Sequence, residues 1–288
     1  MRELAERCMV HGPAEGGNPT RVPGLSIYRR NQRTAPAHAV YGRSIFLVAQ
    51  GRKRSRVGDD AFVYDPDHYL VTSVPLPVVG EILEASPERP FLSLAIEFEL
   101  GAVREIMSRA GDVLAPRATE PPQRGLASCP VTPAIRDVAA RLVGLLEHPD
   151  DAGFLGPLYR RELLYHVLKG PRGGFLRAVA MGHGQQRAIA DVLALVHADC
   201  TKAYSVAELA AVAGMSESVF YDAFRSVTAS TPLQYIKRLR LQEAHRQLTL
   251  GLNNVSGTAY DVGYSSLSQF SREFTRLFGA NPSAYLPR

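Results

Sequence analysis

Eight basic side chains lie beyond Phe224: Arg225, Lys237, Arg238, Arg240, Arg246, Arg272, Arg276 and Arg288. Only Glu243, Asp261 and Glu273 oppose them. Such a surplus suits a surface that neutralises phosphate. It equally suits an ordinary solvated face, so charge alone leaves both readings open. A second basic run, Arg52-Lys-Arg-Ser-Arg56, lies between two predicted strands. It reads as a solvated hairpin edge, where charge discourages strand-to-strand aggregation, rather than as a nucleic-acid patch. Enzyme chemistry finds little support. There is no G-x-S-x-G nucleophile turn, and GHG at 182–184 has no feeding strand and no G-K-[ST] after it. His38 and His68 are isolated, with no H-x-H, so no metal centre or cofactor is expected. Cys8, Cys129 and Cys200 are odd in number and form no C-x-x-C. They read as buried or idle thiols, with a redox sensor as the alternative.

The element that would position the basic side chains is visible as an internal repeat. Val206 matches Val255, Ala210 matches Ala259 and Gly214 matches Gly263 at an offset of 49. After one inserted residue the offset becomes 50. Ser216 then matches Ser266, Phe220 matches Phe270, Phe224 matches Phe274, Pro232 matches Pro282 and Tyr235 matches Tyr285. Each copy predicts a short helix with a small Ala where another helix comes close. A Gly turn follows, and then a Ser-capped helix. Two Phe at i and i+4 point inward from that second helix. Helix, tight turn and capped helix make a helix-turn-helix. Between the copies, Pro232 to about Leu250 predicts a rod of about 27 Å. Its apolar stripe is Leu233, Ile236, Leu239, Leu241, Ala244 and Leu248.

The two stretches, SVAELAAVAGMSESVFYDAFRSVTASTPLQYIKRLRL and VSGTAYDVGYSSLSQFSREFTRLFGANPSAYL, closely resemble the AraC/XylS family of bacterial transcription regulators. The resemblance covers about residues 187–288. It implies binding to double-stranded promoter DNA, with one chain placing two helices in adjacent major-groove segments. In that family the outward helix positions read base edges. Here they are Ser218, Tyr221, Asp222 and Arg225 in the first unit, and Leu267, Ser268, Ser271 and Arg272 in the second. Arg272 is the strongest candidate, because Arg pairs bidentately with guanine; a phosphate contact is its alternative. Asp222 departs from the basic or amide residue common there. It would accept from cytosine N4 or weaken the first unit, so the units are expected to contribute unequally.

From about Leu25 to Leu100 the pattern is short β-like runs: Ser44–Gln50, Ala61–Tyr64, His68–Thr72, Val78–Glu84 and Phe91–Phe98. A loop with Pro116, Pro121, Pro122, Pro130 and Pro133 follows. Helical spacing then begins near Thr132, and a second helix is predicted after Pro157. These helices would either cover the barrel or form a dimer face. The stretch GRSIFLVAQGRKRSRVGDDAFVYDPDHYLVTSVPLPVVGEILEASPERPFLSL looks like the N-terminal domain of an AraC-type subgroup, whose fold is cupin-like. That likeness implies a ligand pocket, for which the candidates are Tyr41, Phe46, Tyr64, His68, Tyr69 and Glu84. Each reads more readily as core or turn than as a ligand contact.

The chain has 288 residues, a net charge of +5 and 45% hydrophobic residues. That composition excludes a disordered or fibrous protein and leaves room for two domains. No apolar run reaches membrane-spanning length, and the N-terminus lacks a signal-peptide core. The expected fold is two-domain α+β. A flexible tail at 1–22 precedes a small cupin-like β-barrel with flanking helices at 23–182. An all-α domain at 183–288 carries two helix-turn-helix units joined by a long helix. The expected function is a cytoplasmic, sequence-specific DNA-binding transcription regulator under small-molecule control. A homodimer and RNA polymerase are further candidate partners. The alternatives are a cupin-type enzyme with a helical appendage and a ligand-independent DNA-binding regulator.

Overall fold

A computed structural model of the chain describes residues 2–114, 124–171, 173–181 and 184–287. Pro116, Pro121 and Pro122 of the expected loop, Gly182 and His183 of the GHG run, and Arg288 lie outside the described residues.

Residues 2–22 are not a tail. Helix α1 (Arg2–His11) buries Leu4, Ala5 and Cys8, and strand β1 (Gly16–Pro19) pairs with β2 (Leu25–Arg30). Of the Gly and Pro in this stretch, Gly12 and Pro13 lie between the two elements, while Gly16, Gly17 and Pro19 belong to β1 itself. The strands continue as β3 (Ala37–Tyr41), β4 (Ser44–Gln50), β5 (Arg52–Val57), β6 (Asp60–Tyr64), β7 (His68–Thr72), β8 (Leu76–Glu84) and β9 (Phe91–Glu97). Helix α2 (Leu100–Ala110) follows, and β10 (Leu126–Pro130) closes the β-rich part. All pairings are antiparallel. A six-stranded sheet runs β1-β2-β9-β4-β7-β10, and a four-stranded sheet runs β3-β8-β5-β6. The cupin-like expectation is thus met by two sheets rather than one closed barrel.

The basic run Arg52–Arg56 is itself β5, paired on both sides, and not a hairpin edge. Its charges are answered across the ladder: Arg54 donates to Glu81 at 2.6 Å and Arg52 pairs with Glu84. Cross-strand opposite charges support such pairing.

Alternation along the larger sheet divides two cores. Ile45, Leu47, Ala49, Tyr69, Val71, Leu92, Leu94 and Ile96 face the helices. Val48, Leu70 and Phe91 join Tyr41, Val57, Tyr64, Leu76, Val78 and Ile82 of the other sheet. Burial on both faces explains why β4 and β9 read as continuous apolar runs. The helical layer is α1, α2, α3 (Pro133–Gly144) and α4 (Pro149–Lys169) with α5 (Gly173–Met181). Thr132 caps α3, accepting from the Ile135 N–H. Ile135, Val138, Ala139 and Leu142 are buried in the same core, where α3 packs on α1 and α4 and α1 lies on the strands. Helix α4 does not begin after Pro157. It starts at Pro149, with Asp150 and Asp151 in its first turn, and runs through Pro157. The Pro157 ring is exposed, so the lost backbone bond faces water.

The remainder is helical: α6 (Gly184–Ala198), α7 (Val206–Val212), α8 (Glu217–Thr228), α9 (Pro232–Thr249), α10 (Val255–Asp261) and α11 (Leu267–Phe278). Ser205 and Glu208 form a reciprocal capping box at α7. Thr231, Asn254 and Ser266 cap α9, α10 and α11 through their side chains. Among the described residues, no helix is long and apolar enough to cross a membrane.

Candidate nucleic-acid interface

Each helix-turn-helix is built on the repeated residues. Gly214 and Gly263 turn the chain at φ 64° and 86°, a region that costs other residues strain. Ala210 and Ala259 are buried at the helix contacts. Phe220 and Phe224 are fully inward, their rings 5.6 Å apart, and the Phe224 ring meets Tyr235 edge-on at 5.5 Å. Phe270 and Phe274 repeat this at 5.5 Å, with the Phe278 ring tilted at 45° and 4.6 Å beyond. One difference separates the copies. Ser266 caps α11, whereas Ser216 makes no side-chain cap and its Oγ lies 3.4 Å from Ser218 Oγ.

The faces opposite the Phe pairs are open. Ser218, Tyr221, Asp222 and Arg225 are exposed on α8, as are Ser268 and Arg272 on α11. Ser271 is half-buried, and Leu267 packs partly on the second unit's own core. Arg276, one turn beyond Arg272, shares the exposed face. The i+4 spacing would have signalled it. In the spacer helix α9, Leu233 is not part of the apolar stripe, being 52% exposed. Tyr235, absent from that stripe, is fully buried.

Several of the basic residues are already engaged. Lys237 Nζ donates to Glu273 Oε1 at 2.8 Å, and Arg246 pairs with Glu243. Arg240 donates to four backbone carbonyls. Among the described residues of α8, α9 and α11, the exposed cations left for a polyanion are Arg225, Arg272 and Arg276. Burial alone would raise the Glu273 carboxyl. Hydrogen bonds from Lys237, Tyr264 and Gln269 outweigh it and hold the group below the usual carboxylate range.

The first unit is docked on the sheets. One hydrophobic cluster runs from Tyr64, Leu76 and Val78 to Phe220, Phe224, Val227 and Tyr235. Gly125 N–H donates to the Val227 carbonyl at 3.0 Å. Arg124 pairs with Asp60 and donates to the carbonyls of Arg225 and Ser226 at 2.8 and 2.9 Å. Tyr235 Oη donates to the Pro75 carbonyl at 2.8 Å, so the 2.7 Å contact from His197 Nε2 must carry the imidazole's proton. Burial, with Arg43 nearby, pushes the His197 pKa down to about 4, so the ring stays neutral. The turn residue Gly58 sits against Ala229, where an added Cβ would come within 2.7 Å of the Ala229 methyl.

The structure brings only part of the expected pocket together. Tyr41, Phe46 and Tyr64 cluster: the Tyr41 and Phe46 rings are 4.7 Å apart, and the two phenols share the Ser55 hydroxyl at 3.2 Å each. Tyr69 points to the opposite face of the sheet, into the helical core. His68 is exposed and paired with Asp65, and Glu84 is exposed on Arg52. These three do not line the inter-sheet space. Lys53, not singled out from the sequence, places its ammonium 5.4 Å from the Tyr41 ring and 5.0 Å from that of Tyr28.

Comparison with known proteins agrees with this architecture. Residues 209–288 match the profile described as helix-turn-helix domain. An AraC-like transcription regulator of Streptomyces antibioticus is 36% identical over 97 residues, 34% of this chain and 32% of that protein. The chain thus matches about a third of the length of such curated relatives. An apo point variant of ToxT from Vibrio cholerae superposes with a TM-score of 0.60 at 13% identity, over 93% of this chain and 98% of that one. Wild-type ToxT with unsaturated fatty acid bound gives 0.54 at 13% identity, over 91% and 93%. At such identities the likeness establishes the fold alone. The decisive match is over residues 21–175, to the profile described as AraC-type transcriptional regulator N-terminus. That span is more than half of the sequence, and with the duplicated helix-turn-helix behind it the chain belongs to the AraC-type transcriptional regulators.

Proposed function

We propose that this regulator reads promoter DNA with α8 and α11 together. The observation that carries the reading is the two-faced character of both helices: each turns a Phe pair into its own core and leaves a polar face open. The 18-residue α9 between them is about 27 Å long. Adjacent major-groove segments on one side of B-DNA are about 34 Å apart. A spacer of that length plus the width of a unit meets that separation. Base edges fall to Ser218, Tyr221, Asp222 and Arg225 in one half-site, and to Ser268, Ser271 and Arg272 in the other, with Leu267 offering a methyl contact. Selection from a randomised duplex library tests it. Two half-sites about one helical turn apart are expected, and a single half-site would refute the double reading.

In this reading the stretch up to residue 182, with α1 and β1 included, forms the effector and dimerisation domain and 183–288 the DNA-binding domain. A small molecule acts by shifting the population in which the first unit is docked. The groove where β3 faces α9, about 480 Å³, is the place for it. Val40, Leu239 and Phe278 offer apolar surface, and Gln242 Oε1 is buried there without a hydrogen-bond partner. The fatty-acid-bound ToxT makes unsaturated fatty acids the first compounds to test by thermal shift. Homodimerisation, contact with RNA polymerase and a cytoplasmic location belong to the same proposal. Sedimentation and in vitro transcription check the first two.

A further inference from the structure

Arg240 stands at the ninth of the 18 residues of the spacer helix α9. Its guanidinium does not face solvent as a phosphate ligand would. Nε donates to the Cys200 carbonyl at 2.6 Å. Nη2 donates to the carbonyls of Thr201 and Lys202 at 3.0 and 2.9 Å. Nη1 donates to the Gly263 carbonyl at 3.1 Å. Residues 200–202 lead into α7, the first helix of the front unit, and Gly263 is the turn of the rear unit. One planar side chain therefore touches both units from the middle of the rod between them. The units also meet directly, since a Cβ on Gly263 would lie 2.5 Å from the Thr201 carbonyl oxygen. A second tie lies alongside: Lys237 on α9 and Tyr264 behind the turn both donate to the Glu273 carboxylate of α11 at 2.8 Å.

We propose that Arg240 is a positioning residue that fixes the separation and rotation of the two reading helices, and so the half-site spacing the protein accepts. The inference rests on both units reading DNA. Helix α9 by itself sets a length but leaves each unit free to pivot about its end. Four hydrogen bonds in a rigid fork remove that freedom, and only Arg presents donors in this plane. Lys keeps the charge but cannot span both sides. One base pair of misplacement is about 3.4 Å and about 34° of rotation. A rigid pair should lose affinity through that misfit, whereas a pivoting pair adapts.

The test uses the full-length chain and its selected duplex, re-made with the spacer between half-sites lengthened or shortened by one and two base pairs. Wild type should lose about tenfold in affinity per base pair of misfit, the scale of one lost base contact. Arg240→Lys and Arg240→Ala should flatten that profile to about threefold or less, weakening the best site while sparing the others. A variant profile parallel to wild type, merely lower or unchanged, overturns the proposal, because a phosphate or general stability role acts on all spacings alike. Binding is read at a temperature where each variant keeps wild-type helicity. Failure of both to fold at any temperature also overturns it, since the contact would then be a requirement of folding. If wild type itself selects only one half-site, the double reading fails and the role of Arg240 falls with it, whereas two half-sites with parallel profiles overturn the role of Arg240 alone.

Discussion

Replacing Phe274 with Ala should dissolve the second unit while leaving the rest of the chain folded. The ring is fully buried and touches Phe270, Phe278, Tyr285 and His245 at centroid distances of 4.6–6.3 Å. Loss of such a ring from a packed core costs about 3–5 kcal/mol. The core it leaves is small: Leu241, Ala244, Leu248, Ala259, Val262, Tyr264 and Phe270 are its remaining buried members. At roughly 0.05–0.15 kcal/mol per residue, a unit of about 45 residues holds only about 2–7 kcal/mol. The loss is therefore comparable with the whole. Phe224 differs, because its cluster is continuous with the sheets and Phe224→Ala should lower the stability of both halves. Hydrogen exchange resolved by peptide is the assay. In Phe274→Ala the amides of α10 and α11 should lose protection while those of α8 and β4 keep it, and one of the two footprint segments should vanish. Retained protection in α11 would refute the core assignment.

Arg272→Ala should cost about 1–3 kcal/mol of discrimination at one base pair, measured on duplexes substituted singly along the rear half-site; equal loss on every sequence would assign Arg272 to phosphate. The depressed pKa of His197 means that the unfolded chain binds the proton first, so its stability contribution is complete above about pH 6.5 and drains away as pH falls towards about 4. That is worth up to about 3 kcal/mol, and the lowered pKa values of His38 and His245 add in the same direction. His197→Gln should flatten the urea midpoint between pH 7 and 4.5; an unchanged slope would refute the role of the buried imidazole. Gly58→Val should loosen docking, because φ is +60° and the Ala229 methyl blocks a Cβ; Gly16→Val, at φ +98° with nothing within 4 Å, carries only the backbone strain. Exchange of the Gly125 N–H should accelerate in the first and not in the second.

The second half was legible because its signals are local. A Gly at a positive φ, a Phe pair one turn apart and a Pro at a helix start act within a few residues, and here they occur twice. What failed in the front half depends on partners far along the chain. The charges of β5 look like an edge until Glu81 and Glu84 of β8 stand opposite. Helix α1 buries only Leu4, Ala5 and Cys8, too little apolar pattern to stand out before a Gly- and Pro-containing stretch. Tyr69 was grouped with Tyr64 although β7 alternates, and alternation sends Tyr69 to the helices and Leu70 to the space between the sheets. In the sequence Arg240 is one member of a basic surplus, because its acceptors are carbonyls, which leave no mark there.

Hydroxyl-radical footprinting of the full chain on its selected duplex tests the double reading most directly. Two protected segments, centred about one helical turn apart on the same face, are the predicted result. One protected segment, or two on opposite faces, would contradict it.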